Sequence, residues 1–170
     1  NVSLTLTGVQ NTGGGGQDIL TSIENLTGSD FADNLIGNYL NNILIGGSGN
    51  DTLNGGAGND TLEGDGGIDQ LLGGDGNDQL WFDTLDTVIN GANGVDTAKL
   101  LNAFGPLNFN LATGKIDVLD ATISTFNNIL NAGNVTWPVT ILGGNGNDTV
   151  TGGSASDSLC GGGGADSIFG

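Results

Sequence analysis

Aliphatic residues return at every ninth position over much of this chain, most of them following a run rich in glycine. From Gly46 the sequence reads GGSGNDTLN, GGAGNDTLE, GDGGIDQLL and GGDGNDQLW, with copies starting at 46, 55, 64 and 73 and no gap between them. Stepping back in nines reaches GNYLNNILI at 37 and GSDFADNLI at 28, both looser copies. A second array, GGNGNDTVT, GGSASDSLC and GGGGADSIF, starts at 143, 152 and 161. The eighth position of the unit is Leu35, Leu44, Leu53, Leu62, Leu71, Leu80, Val150, Leu159 and Ile168. That column is wholly aliphatic.

Glycine at positions one to four lets the backbone take φ > 0 and turn sharply. The residues after the turn form a short strand whose aliphatic side chain points inward. One nonapeptide thus gives a turn and a strand, and two complete a flattened coil of about 18 residues. The expected fold is all-β, a parallel β-roll or β-solenoid. Elsewhere VSLTLTG at 2–8 and PLNFNLATG at 106–114 alternate apolar and polar residues, which predicts strands. DILTSIENL at 18–26 resembles DATISTFNNI at 120–129, so the chain reads as two copies of a strand-rich lead-in and an array. The predicted division is lead-in coils at 1–27, a first array at 28–81, metal-poor coils at 82–142 and a truncated second array at 143–170. All four read as one continuous solenoid cut from a longer protein. GANGVD at 91–96 reads as a degenerate turn, and Asp96 ranks below the array aspartates as a ligand.

Charge changes the picture. The sixth position is Asp33, Asp51, Asp60, Asp69, Asp78, Asp148, Asp157 and Asp166, with Asn42 the exception. Lys99 and Lys115 are the only cations against 19 acids, for a net charge of −17. Internal ion pairs cannot balance this chain. Nucleic acid and anionic membrane surfaces are not expected partners, because both need clustered Lys and Arg. In an 18-residue coil Asp51 faces Asp69 and Asp60 faces Asp78, at a strand spacing of about 4.8 Å. Bare carboxylates so placed repel, and a cation between them turns repulsion into cross-linking. Oxygen donors without any histidine select a hard ion such as Ca²⁺.

Other chemistry fails on inventory. Without histidine there is no Ser-His-Asp or Cys-His pair, so no catalytic site is expected. The single Cys160 allows no internal disulfide and reads as an incidental thiol. No run of about 18 apolar residues suggests a membrane span. The chain begins at Asn1 without a signal peptide. Trp81, Trp137 and Tyr39 read as core or edge packing rather than a sugar platform, and Asn at position five as turn chemistry. The Thr ladder that an ice-binding face would need breaks at Gln70 and Gln79.

The nonapeptide resembles the RTX (repeats-in-toxin) calcium-binding motif G-G-x-G-x-D-x-U-x, with U aliphatic. Residues 46–54, 55–63, 73–81 and 143–151 match at every defined position, while Asp65 and Ala155 replace a motif glycine. The resemblance implies a right-handed parallel β-roll that orders when several Ca²⁺ ions bind. It carries the ligand role to the sixth-position aspartates and to the carbonyls of Gly46, Ser48, Gly55, Ala57, Gly64, Gly73, Gly143, Asn145 and Gly161. The complete carboxylate pairs it implies are Asp51/Asp69, Asp60/Asp78 and Asp148/Asp166. The Asn42/Asp60 pair offers one carboxylate, Asp33 reads as a cap, and Asp157 lacks the next repeat. The resemblance also implies a secreted, extracellular or cell-surface bacterial protein, exported unfolded by type I secretion. An adhesin or surface-layer parent is favoured, with neighbouring copies or further repeats as partners. The alternative is an accessory segment of a secreted protease, lipase, epimerase or toxin, and an ice- or carbohydrate-binding solenoid is the minor reading.

Overall fold

A computed structural model of the chain describes residues 1–6, 9–10 and 18–170. Short strands follow one another because each repeat supplies only a few extended residues between glycine turns. β1 (Val2–Ser3), β2 (Val9–Gln10), β3 (Asp18–Ile19) and β4 (Asn25–Thr27) lie before the first array. β5 (Asn34–Ile36), β6 (Ile43–Ser48), β7 (Thr52–Ala57), β8 (Thr61–Gly66), β9 (Gln70–Asp75) and β10 (Gln79–Asp83) come one per nonapeptide. Then follow β11 (Val88–Asn93), β12 (Thr97–Asn102), β13 (Asn108–Asn110), the helix α1 (Leu111–Gly114), β14 (Val118–Asp120), β15 (Ile129–Asn131) and β16 (Thr140–Leu142). β17 (Thr149–Thr151), β18 (Ser158–Cys160) and β19 (Ser167–Phe169) belong to the second array.

From β4 onward alternate strands stack in parallel, with one break between β11 and β13, so the chain is a parallel β-solenoid. One wall runs β4-β6-β8-β10-β12-β14-β16-β18. The other is in two parts, β1-β5-β7-β9-β11 and β13-β15-β17-β19. β2 and β3 form a separate antiparallel pair. The register places Leu44, Leu62 and Leu80 in one column and Leu35, Leu53 and Leu71 in the facing one. These six leucines are at most 1 % exposed. A one-residue slip would turn the whole column outward, so burial fixes the register. Between the arrays the core becomes broader and more aromatic, with Phe82 and Phe109 rings 5.5 Å apart and Leu111, Ile116 and Leu119 fully buried.

Two predicted strands are shorter than their alternation suggested. In 106–114 only Asn108–Asn110 is extended, and the chain then turns into α1. The Asn110 side chain accepts from Ala112 N at 3.0 Å and caps the helix, while Lys115 ends it at φ +47°. In 2–8 only Val2–Ser3 is extended, with Thr7 and Gly8 outside the described residues. Among the described residues no helix is long and apolar enough to cross a membrane.

The second position of the repeat needs a positive φ, +99° at Gly47 and +104° at Gly56. Asp65 and Ala92 hold the same place at φ +64° and +77°. Asp tolerates this region, whereas an alanine Cβ crowds its own carbonyl there. Ala92→Gly is therefore expected to raise stability by up to about 1 kcal/mol. The measurement is the urea midpoint at saturating calcium; a lower midpoint than wild type would contradict the strain.

Candidate metal centre

The turn folds the sixth-position aspartates from Asp51 onward back along the edge of the roll. There Oδ1 accepts the backbone N–H of the equivalent residue one coil earlier. On one edge Asp33 N donates to Asp51 Oδ1 at 2.7 Å, Asp51 N to Asp69 Oδ1 at 2.8 Å, and Asp69 N to Asp86 Oδ1 at 2.9 Å. The same edge resumes with Asn128 N donating to Asp148 Oδ1 at 2.7 Å and Asp148 N to Asp166 Oδ1 at 2.9 Å. On the other edge Asn42 N donates to Asp60 at 2.7 Å, Asp60 N to Asp78 at 2.8 Å and Asp78 N to Asp96 at 2.9 Å. Asp96 N then donates to Asp117 Oδ2 at 2.8 Å, 21 residues on.

The second carboxylate oxygen is the telling one. Asp51, Asp60, Asp69, Asp78, Asp96 and Asp148 are all at most 1 % exposed, and the Oδ2 of each is buried with no hydrogen-bond partner. A buried charged oxygen left so is strongly unfavourable unless something positive meets it. Each lies over the first glycine of its own repeat. A Cβ at Gly46 would stand 2.5 Å from Asp51 Oδ2 and 2.8 Å from Gly64 O, so the two oxygens flank one small space. Asp60 Oδ2 and Gly73 O flank Gly55 in the same way, Asp78 Oδ2 and Gly91 O flank Gly73, and Asp148 Oδ2 and Gly161 O flank Gly143. These pairs of carboxylate and carbonyl oxygens suit a hard divalent cation. Among the described residues no group of three or more His, Cys, Asp or Glu side chains is placed to hold a metal.

Burial holds Asp51, Asp60, Asp69, Asp78 and Asp96 above the ordinary carboxylate range. It raises Asp51, Asp60 and Asp78, partly offset by the backbone N–H bonds from Asp33, Asn42 and Asp60 respectively. Asp69 is pushed up to about 7, chiefly by burial, with Asp86, Asp51 and Asp83 adding repulsion against the Asp51 N–H bond. Asp96 is pushed up to about 6, again mainly by burial, with Asp78 and Asp117 adding repulsion.

The remaining predicted ligands differ in setting. Asp33 and Asp157 are half-buried, and their Oδ2 atoms accept from their own turns, from Ser29 N and Gly153 N at 2.7 Å. Asp166 is half-buried and lies over Gly161. Gly64 lies against Asp69 Oδ2, 2.5 Å from where its Cβ would stand. Ser48, Ala57 and Asn145 sit in the rim ladder, donating from backbone N to Ser29 O, Asn38 O and Ser124 O. Asn42 is buried, its Oδ1 accepting from Asn38 N and its Nδ2 donating to Glu24 O.

Three features went unread or underrated in the sequence. Asp96 has the same buried, unpartnered Oδ2 as the array aspartates, although it lies in the stretch read as metal-poor. Counting nines onward from 73 reaches 91 and puts Asp96 in position six, which was the available signal. Asp86 joins the other row although the coil before it is one residue short, at 17 residues. Position-five asparagines form a second ladder of opposite sense. Asn41 Oδ1 accepts from Asn59 N, Asn59 Oδ1 from Asn77 N and Asn77 Oδ1 from Val95 N, each one coil later. A turn that holds both residues, as at Asn59 and Asp60 or Asn77 and Asp78, is thus tied forward by asparagine and backward by aspartate.

Fold and site together define a calcium-binding repeat solenoid, with oxygen donors set between stacked glycine turns. The family model for the RTX calcium-binding nonapeptide repeat matches four times, at residues 27–62, 36–71, 55–84 and 140–170. Those matches cover just over half of the chain, and it belongs to that family. A search of curated proteins and one of solved structures returned no match.

Proposed function

We propose that this roll is the structural part of a secreted bacterial protein and that it folds on meeting calcium outside the cell. The observation that carries the reading is the set of six buried aspartates whose Oδ2 atoms have no partner. When bound, calcium supplies the positive charge that Lys99 and Lys115 alone cannot. The paired oxygens come together only in the stacked coils, so binding free energy is folding free energy. Without the ion, the net charge of −17 keeps the chain expanded and suited to export unfolded. The module's work is then mechanical rather than catalytic, which the absence of histidine supports. Serial arrays and scarce Lys and Arg favour a surface-layer or adhesin parent.

Circular dichroism of the chain in EDTA, and then after addition of CaCl₂, tests the reading. The expected result is a mainly disordered spectrum that becomes β-rich with calcium. An equally β-rich spectrum in both conditions would sink the coupled folding.

A further inference from the structure

Position six is an amide twice, at Asn42 and Asn128, and the two side chains are turned in opposite senses. Both residues are 1 % exposed. At Asn128 the N–H of Leu107 donates to Oδ1 at 3.0 Å, and the Ser124 hydroxyl donates to the same atom at 3.1 Å. Those two donors fix the oxygen, so the amide nitrogen must face the other way. Nδ2 donates to Gly143 O at 3.1 Å. In the aspartate turns the atom at that place is the unpartnered Oδ2, beside the first-position carbonyl of the next coil, as with Asp51 and Gly64 O. Asn42 is the contrast: Asn38 N holds its Oδ1 over Gly37 beside Gly55 O, and its Nδ2 points back to Glu24 O. Asn42 keeps an oxygen in its cradle, whereas Asn128 puts N–H hydrogens there.

We propose that Asn128 stands in for the ion: its amide nitrogen closes the junction between the middle coils and the second array, and that junction takes no calcium. An N–H group cannot ligate a cation, and this one already satisfies the carbonyl that a cation would use. The junction keeps the tie to the next coil, through Asn128 N and Asp148 Oδ1 at 2.7 Å, without adding buried charge at position 128. The opposite edge agrees, because its equivalent residue is Val139, 2 % exposed, which has no side-chain oxygen and is linked forward by backbone alone, its N–H donating to Asp157 Oδ1 and its carbonyl accepting from Ser158 N. The second array is therefore seated on a coil that hydrogen bonds and apolar packing hold, and calcium binding starts one coil later, at Asp148.

The inference rests on the calcium reading, and equilibrium dialysis of the full chain against ⁴⁵Ca separates the two. Asn128→Asp is expected to bind one more calcium ion per chain than wild type. Asn128→Ala is expected to bind the wild-type number while showing a lower urea midpoint at saturating calcium, since no ion replaces the lost bonds. Asn128→Asp binding no more than wild type, or Asn128→Ala binding fewer ions, overturns the substitution, the latter by making Asn128 a ligand itself. A wild-type chain that takes up no calcium overturns the calcium reading instead.

Discussion

Asp60→Ala is expected to weaken calcium binding at its turn by tenfold to about a hundredfold, while Asp30→Ala leaves it within about twofold. The first substitution removes the Oδ2 that shares a cradle with Gly73 O, and also the Oδ1 that accepts from Asn42 N at 2.7 Å. Losing a charged hydrogen-bonding group of this kind costs about 1.5–3 kcal/mol, which is that range in affinity. Asp30 carries the same formal charge but lies exposed in a rim turn, outside both rows. The comparison therefore separates a ligand from a general contribution to the chain's negative field. In the calcium-free chain the sign differs, because Asp60→Ala also removes a buried charge that nothing compensates. Isothermal titration calorimetry reads the affinities, and equal losses in the two variants would mean the rows are not the binding positions.

Acid should fold the calcium-free chain and release calcium from the loaded one. Asp69 is pushed up to about 7 and Asp96 to about 6 in the roll, against an ordinary value of 3.8. Between those limits the folded state holds protons that the unfolded chain has given up. Its stability is greatest below the ordinary value and falls as pH rises through about 6 to 7. With calcium present the dependence reverses, since protons and the ion compete for the same oxygens and affinity drops as pH falls through that window. Circular dichroism of the metal-free chain against pH should show β structure appearing on acidification. Loss of overall repulsion acts in the same direction, so Asp69→Asn is the control and should flatten the curve between about pH 4 and 7. A metal-free chain that gains β structure as pH rises would contradict the burial of these charges.

Much of the architecture was legible because its cause is local and repeated. The aliphatic eighth position is buried from Leu35 to Leu80 and at Val150, and the facing leucine columns follow from that; Leu159 is half-buried and Ile168, in the last coil, is 48 % exposed. The pairing of Asp51 with Asp69 and of Asp60 with Asp78 followed from the 18-residue coil, and the backbone bonds between those residues span 18 positions. Alternation was a poorer guide outside the arrays. PLNFNLATG gives one short strand and a capped helix, because the Asn110 side chain accepts from Ala112 N and starts the helix where the ladder ends.

The nonapeptide period, read from the sequence alone, determined the solenoid, the two acid rows and the preference for a hard cation. Tertiary structure decided which oxygens are spoken for. The backbone N–H one coil earlier takes Oδ1 and leaves Oδ2 facing a carbonyl, a division that no single repeat contains. It also decided where the rows continue, bringing Asp86 and Asp96 into line across coils of 17 and 18 residues. The orientation of Asn128 belongs to the same class, set by Leu107, Ser124 and Gly143, which only stacking brings to it. A repeat can specify its own turn and strand, but the partner of each polar atom lies a whole coil away.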